Sequence, residues 1–503
     1  MTEPYHLTIR FRQQGSAARL NLETESGAGT DATLPLPYAA DLPLVLRALD
    51  IAQYPNSAPL LAALPAPERA RLVELGLLTG QTFVADLHAR VGRTLLTALT
   101  NASAGEAAAP EDTTATILAL ARSEARASGR GLALNLRFPP NATQFADLPW
   151  ELLWDAAGQG GVPLLLAHGG YSACVRYLTL PQPRPAPAPP GSTLSILSVS
   201  PHAEIGSALL ARQRQALTAA LEPTVAAGTV HLIMPPPPLT AGGLIDLVAQ
   251  HRPTVLSFYG HGQLREGVGH LLLDAPDGGS EWVPVTRLAP LAQSDVRLLL
   301  LHACRSDQPG AGLLTGTAGL LSALGLPAIV AMQSYLRITA ATRLQATLCR
   351  GLAEGQSVQE ALAWARAVLY AEERDAASWY VPTLTIASRG EEPLVLLATA
   401  SGTRNPGPAA VVQAGVRRRA RRVVQGVIGT SALALLAATS VLPLLTGFTW
   451  ENAGPLLASL GGNALAGWLI TWAEQHLTQS GWLNEADEER TLGLLAGDLE
   501  GQL

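Results

Sequence analysis

Residues 297–308 read RLLLLHACRSDQ. Four leucines running into His302, Ala303 and Cys304 make the short apolar run of a strand buried on both faces, which is the signature of a parallel sheet. An open parallel sheet gathers functional side chains just beyond the carboxyl ends of its strands. Cys304 follows such an end. A cysteine in that place is either a small buried hydrophobe or a nucleophile, and the stretch by itself does not choose.

The flanking sequence extends the pattern. TLSILSVS (193–200), GTVHLIM (228–234), TVLSFYG (254–260), PAIVAM (327–332), TLTIAS (383–388) and PLVLLA (393–398) read as strands. They alternate with helical periodicity at 206–222, 240–250, a Gly-rich 312–324, 337–353 and 357–373, and HLLLDAPDGGSEWVPV (270–285) reads as a hairpin. Alternation of this kind predicts an α/β fold: a mostly parallel sheet with helices on both faces. Upstream, HLTIRFR (6–12) and ARLNLET (18–24) alternate as half-exposed strands. Amphipathic helices follow over 42–54, 66–78, 83–100 and 114–127, then strands GLALNLRF (131–138) and GGYSACVRYL (169–178). The proline-rich 181–191 reads as an extended excursion.

These features divide the chain into an N-terminal α+β extension (1–80), a main α/β domain (81–398), a linker (399–416), a membrane region (417–473) and an acidic helical tail (474–503). The membrane region opens with five arginines (Arg417, Arg418, Arg419, Arg421, Arg422). Val423 to Trp450 then carries no charge and is long enough to cross a bilayer. Arginines before such a span predict that the large N-terminal part faces the cytoplasm. Pro443 and Gly426, Gly429 and Gly447 would weaken a soluble helix and are tolerated in membranes. The uncharged run 452–473 is open between a second span, a re-entrant arm and a surface-lying helix.

Composition removes several classes. A net charge of -6 without a basic, aromatic-interleaved patch excludes nucleic acid as the expected partner. All 34 basic residues are arginine, which codon bias explains without a functional role. The three cysteines, Cys174, Cys304 and Cys349, form no CxxC, so no disulfide framework, metal site or cofactor is expected, and a reducing compartment fits. The first residues show no basic segment followed by an apolar one, so no secretory signal is read there.

His261, flanked by Gly260 and Gly262, follows TVLSFYG as Cys304 follows the leucine run. If those strands are neighbours, the two exits lie roughly 5–10 Å apart, within reach for an imidazole and a thiol. A free thiol is only slightly ionised near neutral pH, and a histidine beside it takes its proton or stabilises the thiolate. The backbone amides of Gly262 and Cys304 are candidates for an oxyanion hole, and acyl transfer is the reaction class this arrangement serves. His302 shares a face with Cys304 by strand alternation, as a pocket or a packing residue.

HACRS at 302–306, with His261 forty-three residues before Cys304, is similar to the caspase pattern of a cysteine in Q-A-C-[RQG]-G with a histidine about fifty residues upstream. The chain resembles more closely the CHAT domain, a caspase-like and separase-like cysteine peptidase family. That resemblance covers most of residues 80–398 through LPWELLWD, VRYL, SFYGHG, HLLLDAPDG, LLLLHACRSD, TGTAGLLSALGLPAIVAMQ, CRGLAEGQSVQEALAWAR and ASWYVPTLTIAS. It implies a caspase-like fold, His261 as base or ion-pair partner, Cys304 as nucleophile, and a role in bacterial defence or cell death.

The chain departs from the family where a tryptophan usually stands, at Gln333, and where ITAAT replaces a segment with an acidic residue. His302 stands in place of the caspase glutamine, so cleavage after aspartate is not expected. Asp307 is a candidate for receiving a basic substrate side chain, as in arginine-preferring relatives, and His302, Asp307 and Gln333 are the candidate pocket residues. The expected partners are a protein substrate, a membrane and an upstream sensor or activator. Two other readings compete: a membrane-disrupting or oligomerising effector regulated by the CHAT-like domain, and a catalytically silent scaffold.

Overall fold

The computed structural model of the chain describes residues 3–104, 113–139, 143–155, 162–166, 172–178, 189–201, 207–266, 268–302, 305–306, 317–372, 377–387 and 391–398. Cys304, Asp307, most of the proline-rich stretch, the linker 399–416, the runs 423–450 and 452–473 and the acidic tail lie outside the described residues. Among the described residues no helix is long and apolar enough to cross a membrane.

Two sheets organise the chain. In sequence order their strands are β1 (Tyr5–Gln14), β2 (Ala17–Thr24), β3 (Gly29–Pro35), β4 (Ser103–Ala104), β5 (Leu132–Phe138) and β6 (Ala173–Leu178). Then come β7 (Leu194–Val199), β8 (Val230–Ile233), β9 (Val255–Tyr259), β10 (Gly262–Arg265) and β11 (Val268–Asp274). The last are β12 (Ser280–Pro284), β13 (Leu298–His302), β14 (Arg305–Ser306), β15 (Ala328–Met332) and β16 (Pro382–Ile386). The large sheet has twelve strands in the order β8-β7-β9-β13-β15-β16-β6-β5-β1-β2-β3-β4. Strands β8 through β15 run parallel, β16 is antiparallel to β15, and β16, β6, β5 and β1 are again parallel to one another. The sheet therefore holds two parallel blocks of opposite direction. The carboxyl ends of β9, β13 and β15 share an edge with the amino end of β16.

The sequence predicts the strands and the mostly parallel sheet, but not this reversal. A buried run such as TLTIAS reads the same in either direction, and the path of the connecting helices sets its sense. PLVLLA, read as a strand, makes only isolated bridges, Gly191 with Leu397 and Ser357 with Val395. Its leucines are buried, but among the described residues no full strand lies alongside to extend the ladder.

Helices cover both faces of the first block. The helices used below are α1 (Leu42–Gln53), α2 (Ser57–Ala62), α3 (Ala66–Glu74), α4 (Leu87–Thr100), α5 (Thr114–Ala127), α6 (Ser207–Ala226), α7 (Ala241–His251), α8 (Thr317–Leu324), α9 (Ile338–Ala353) and α10 (Val358–Glu372). Leu197, Leu256, Phe258, Leu299, Leu301 and Ile329 point to one face and join Leu244 and Val248 of α7 and Leu321 of α8 in one apolar cluster. The opposite face carries serines, which are satisfied by glutamines from the covering helices. Gln345 of α9 donates to Ser257 Oγ at 2.7 Å and to Ser198 Oγ at 3.3 Å, and Gln213 of α6 donates to Gln345 Oε1 at 2.6 Å. Each buried leucine on the first face contributes roughly 1.5–3 kcal/mol of burial, and the polar stripe opposite carries no such gain without its partners.

Residues 1–80 share this sheet. β1 pairs in parallel with β5, Leu7 opposite Leu134 and Ile9 opposite Leu136. Phe11 stacks on Phe138 with ring centroids 4.5 Å apart and lies 5.5 Å from the Trp150 ring. The alternation in HLTIRFR serves this placement: Leu7, Ile9 and Phe11 are buried, while Arg10 and Arg12 are not.

Candidate functional site at the carboxyl ends of the parallel strands

β9 and β13 are adjacent and parallel, paired from Val255 with Leu298 to Tyr259 with His302. Both are buried along their whole length, which is why their composition is nearly continuous hydrophobe. At the exits the strands remain tied, because the Gly260 amide donates to the His302 carbonyl at 3.2 Å. A side chain at Gly260 would force its neighbours to shift. A Cβ would stand 2.8 Å from two carbons of the Phe258 ring and 3.3 Å from Pro201 Cδ.

Beyond the exits the two chains pair again. β10 and β14 are parallel, Gly262 opposite Arg305 and Gln263 opposite Ser306, in a four-stranded sheet ordered β12-β11-β10-β14. The offset is 43 residues on both sides of the gap: Tyr259 to His302 before it, Gly262 to Arg305 after it. In the sequence two residues separate the paired stretches of each segment, Gly260 and His261 in one and Ala303 and Cys304 in the other. His261 is exposed, and its carbonyl is held by the Leu272 amide at 3.0 Å. Gly262 is a buried strand residue between Leu271 and Arg305.

A sequence profile of the CHAT domain matches residues 90–406. The chain belongs to the CHAT domain family. Comparison with curated proteins finds no match. Among solved structures, one similar to the chain is described as "Crystal structure of the Arg specific cysteine proteinase gingipain R (RGPB)", with 13% identity and a TM-score of 0.35 over 63% of this chain and 76% of that one.

Within the CHAT domain, His302 is buried with its ring centroid 6.1 Å from that of Tyr259. Neither ring nitrogen has a hydrogen-bond partner among the described residues. Burial lowers its pKa to about 4, so the ring is neutral at physiological pH. The other two cysteines of the domain are free and buried. Burial, with the Glu151 carboxylate adding to it, pushes the Cys174 thiol well up, and burial alone pushes Cys349 up to about 12. Neither supplies a thiolate.

Gln333 lies just past β15 and is half-buried, with its side-chain amide turned toward the interior. Its side-chain amide donates to the Tyr380 carbonyl at 2.7 Å and to Glu151 Oε2 at 3.1 Å, and its Oε1 accepts from Arg176 at 3.4 Å. The residue is an anchor into the interior, where a short polar side chain completes a network that an indole would not satisfy. Glu151 and Arg176 pair at 2.7 Å with almost no exposure, and Arg366 stands 3.7 Å from the other Glu151 oxygen while donating to the Pro382 carbonyl at 2.6 Å. Sequence reasoning names LPWELLWD and VRYL without giving their charges a role. The available signal is one charge inside each apolar stretch: Glu151 in LPWELL, Arg176 in ACVRYL and Arg366 in ALAWARAVLY. Among the described residues, no group of three or more His, Cys, Asp or Glu is placed to hold a metal ion.

Proposed function

We propose that the chain is a cysteine endopeptidase in which Cys304 is the nucleophile and His261 the base, cleaving protein substrates. The observation that carries this reading is the common register offset on both sides of the gap, with an equal number of bridging residues on each chain. It supports a placement of Cys304 opposite His261 at neighbouring strand exits, the separation a thiol and an imidazole need. The family membership supports the reaction class, and the raised thiols of Cys174 and Cys349 leave Cys304 as the cysteine suited to attack.

In the reaction, the His261 imidazole takes the thiol proton and the Cys304 sulfur attacks the scissile carbonyl. The amides of Gly262 and Cys304 are the proposed donors to the oxyanion. The protonated imidazole then gives its proton to the leaving amine, and water hydrolyses the acyl-enzyme. His302 and Asp307 are the proposed pocket residues.

The same reading includes a membrane tether. The charge-free Val423 to Trp450, preceded by five arginines, would hold the peptidase at the cytoplasmic face, where confinement to a surface raises its concentration toward itself and toward membrane-bound targets. A defence or cell-death role, proposed on the family resemblance, would have an upstream sensor or activator switch the peptidase on by clustering it. A bilayer-disturbing tail regulated by the CHAT domain is the competing reading, and the same charge-free run favours it.

The test expresses the full chain, Cys304→Ala, His261→Ala and a truncation after residue 405, scoring host toxicity together with new protein N-termini. Peptidase action requires that both cleavage and toxicity vanish in Cys304→Ala, and that His261→Ala lowers the cleavage rate by about 10²–10⁴-fold. Toxicity that survives Cys304→Ala and disappears on truncation would favour the membrane effector and overturn the peptidase.

A further inference from the structure

Residues 333–337 leave β15 one strand over from the exit that leads to Cys304. Gln333 fixes the start of this loop from the interior. Its far side is fixed by a part of the chain that the family profile does not cover, helix α1 and the residue after it. The Asp50 carboxylate accepts the Ser334 hydroxyl at 2.9 Å and the Tyr335 amide at 2.6 Å. Arg337 Nε donates to the Gln53 carbonyl at 3.1 Å, and the Tyr54 ring stacks on Tyr335 with centroids 4.0 Å apart and planes 14° apart.

These contacts join segments 284 residues apart in the chain. A carboxylate that accepts a backbone amide makes a bond roughly twice as strong as a neutral one. Asp50 makes that bond at a loop whose two ends are already held, by β15 and by the start of α9. A loop fixed in this way beside a reacting group can discriminate between side chains, whereas a loose one cannot.

We propose that Asp50 is a positioning residue that holds loop 333–337 in place, so that the N-terminal helix α1 sets which substrate side chain the neighbouring site accepts. The second half rests on the peptidase reading, and the experiment separates the two. Hydrogen exchange on the full chain reads the loop directly. Asp50→Asn should speed exchange at Tyr335 and its neighbours roughly tenfold, the scale of one lost charge-assisted bond, and leave β9 and β13 unchanged. A fluorogenic tetrapeptide library varied at the residue before the scissile bond reads selectivity. The preferred peptide should lose roughly tenfold in KM with kcat little changed, and the preference should flatten. Tyr54→Ala, which removes the stacking without touching a charge, should move both readouts in the same direction. Unchanged exchange over 333–337 in Asp50→Asn overturns the proposal, as does a loosened loop with an unaltered preference. A wild type that cleaves no peptide overturns the peptidase reading and the selectivity half with it, while exchange still decides whether Asp50 holds the loop.

Discussion

Glu151 has no exposed surface, and two buried guanidiniums share its carboxylate. Taking three charges out of water is costly, and the arrangement persists because each charge finds a partner: Arg176 also donates to the Leu148 carbonyl, and Arg366 to that of Pro382. Glu151→Gln keeps the shape and removes the carboxylate that Arg176 and Arg366 share, leaving two cations without it. It should cost about 3–5 kcal/mol, read as a lower denaturant midpoint with an unchanged slope. A second single-residue effect is set by pH. His88 is half-buried, with its ring centroid 5.5 Å from that of Tyr380 and its Nε2 3.2 Å from Gln53 Nε2, and desolvation lowers its pKa from 6.5 to about 4. The unfolded chain therefore binds a proton between pH 6.5 and 4 that the folded chain refuses. That makes stability fall as pH drops through this window, by up to roughly 3 kcal/mol, with no contribution above it. Unfolding midpoints from pH 7 to pH 4 should drop less in His88→Leu than in the wild type. An equal drop in both would show that the ring does not titrate in this window.

At the scale of the element, the exits of β9 and β13 are shaped by one glycine. Gly260 passes so close to the Phe258 ring that a methyl group would overlap it, and Phe258 is locked in the apolar cluster beneath. Gly260→Ala should therefore cost about 1–3 kcal/mol by overpacking and displace His261, the next residue. The expected result is a lowered unfolding midpoint and, on the proposed peptidase reading, a slower cleavage rate. A normal midpoint and normal rate would mean that the ring moves aside freely. The glycine was visible in GHG, but its reason was not. The sequence assigns a substrate-facing amide to Gly262 and no role to the amide of Gly260, which in the structure ties two strands through the His302 carbonyl. Contacts between strands that follow one another only after forty residues leave no periodicity to read.

At the scale of the whole molecule, residues 1–80 contribute three strands to the twelve-stranded sheet. Deleting residues 1–36 would expose the edge of β5 and strip Phe11 from Phe138 and Trp150, so the shortened chain should be insoluble or unfolded by circular dichroism. A soluble, cooperatively folding product would mean that the second block stands without β1. The boundary at residue 80 marks where the family resemblance begins, which is a property of local motifs, whereas the pairing of β1 with β5 joins residues from both sides of it. From its own sequence the chain determined which segments become strands and helices, because alternation and helical spacing are readable within a few residues. It likewise determined the presence of a histidine and a cysteine after two buried strands, forty-three residues apart. The tertiary structure alone decided that those strands are neighbours, that the sheet reverses at β15 and β16, that Gln333 turns inward, and that Asp50 reaches the loop beside the site. The reason is physical: conformation is set by neighbours along the chain, whereas partner, direction and register are set by the summed burial of a whole sheet and the paths its connections allow.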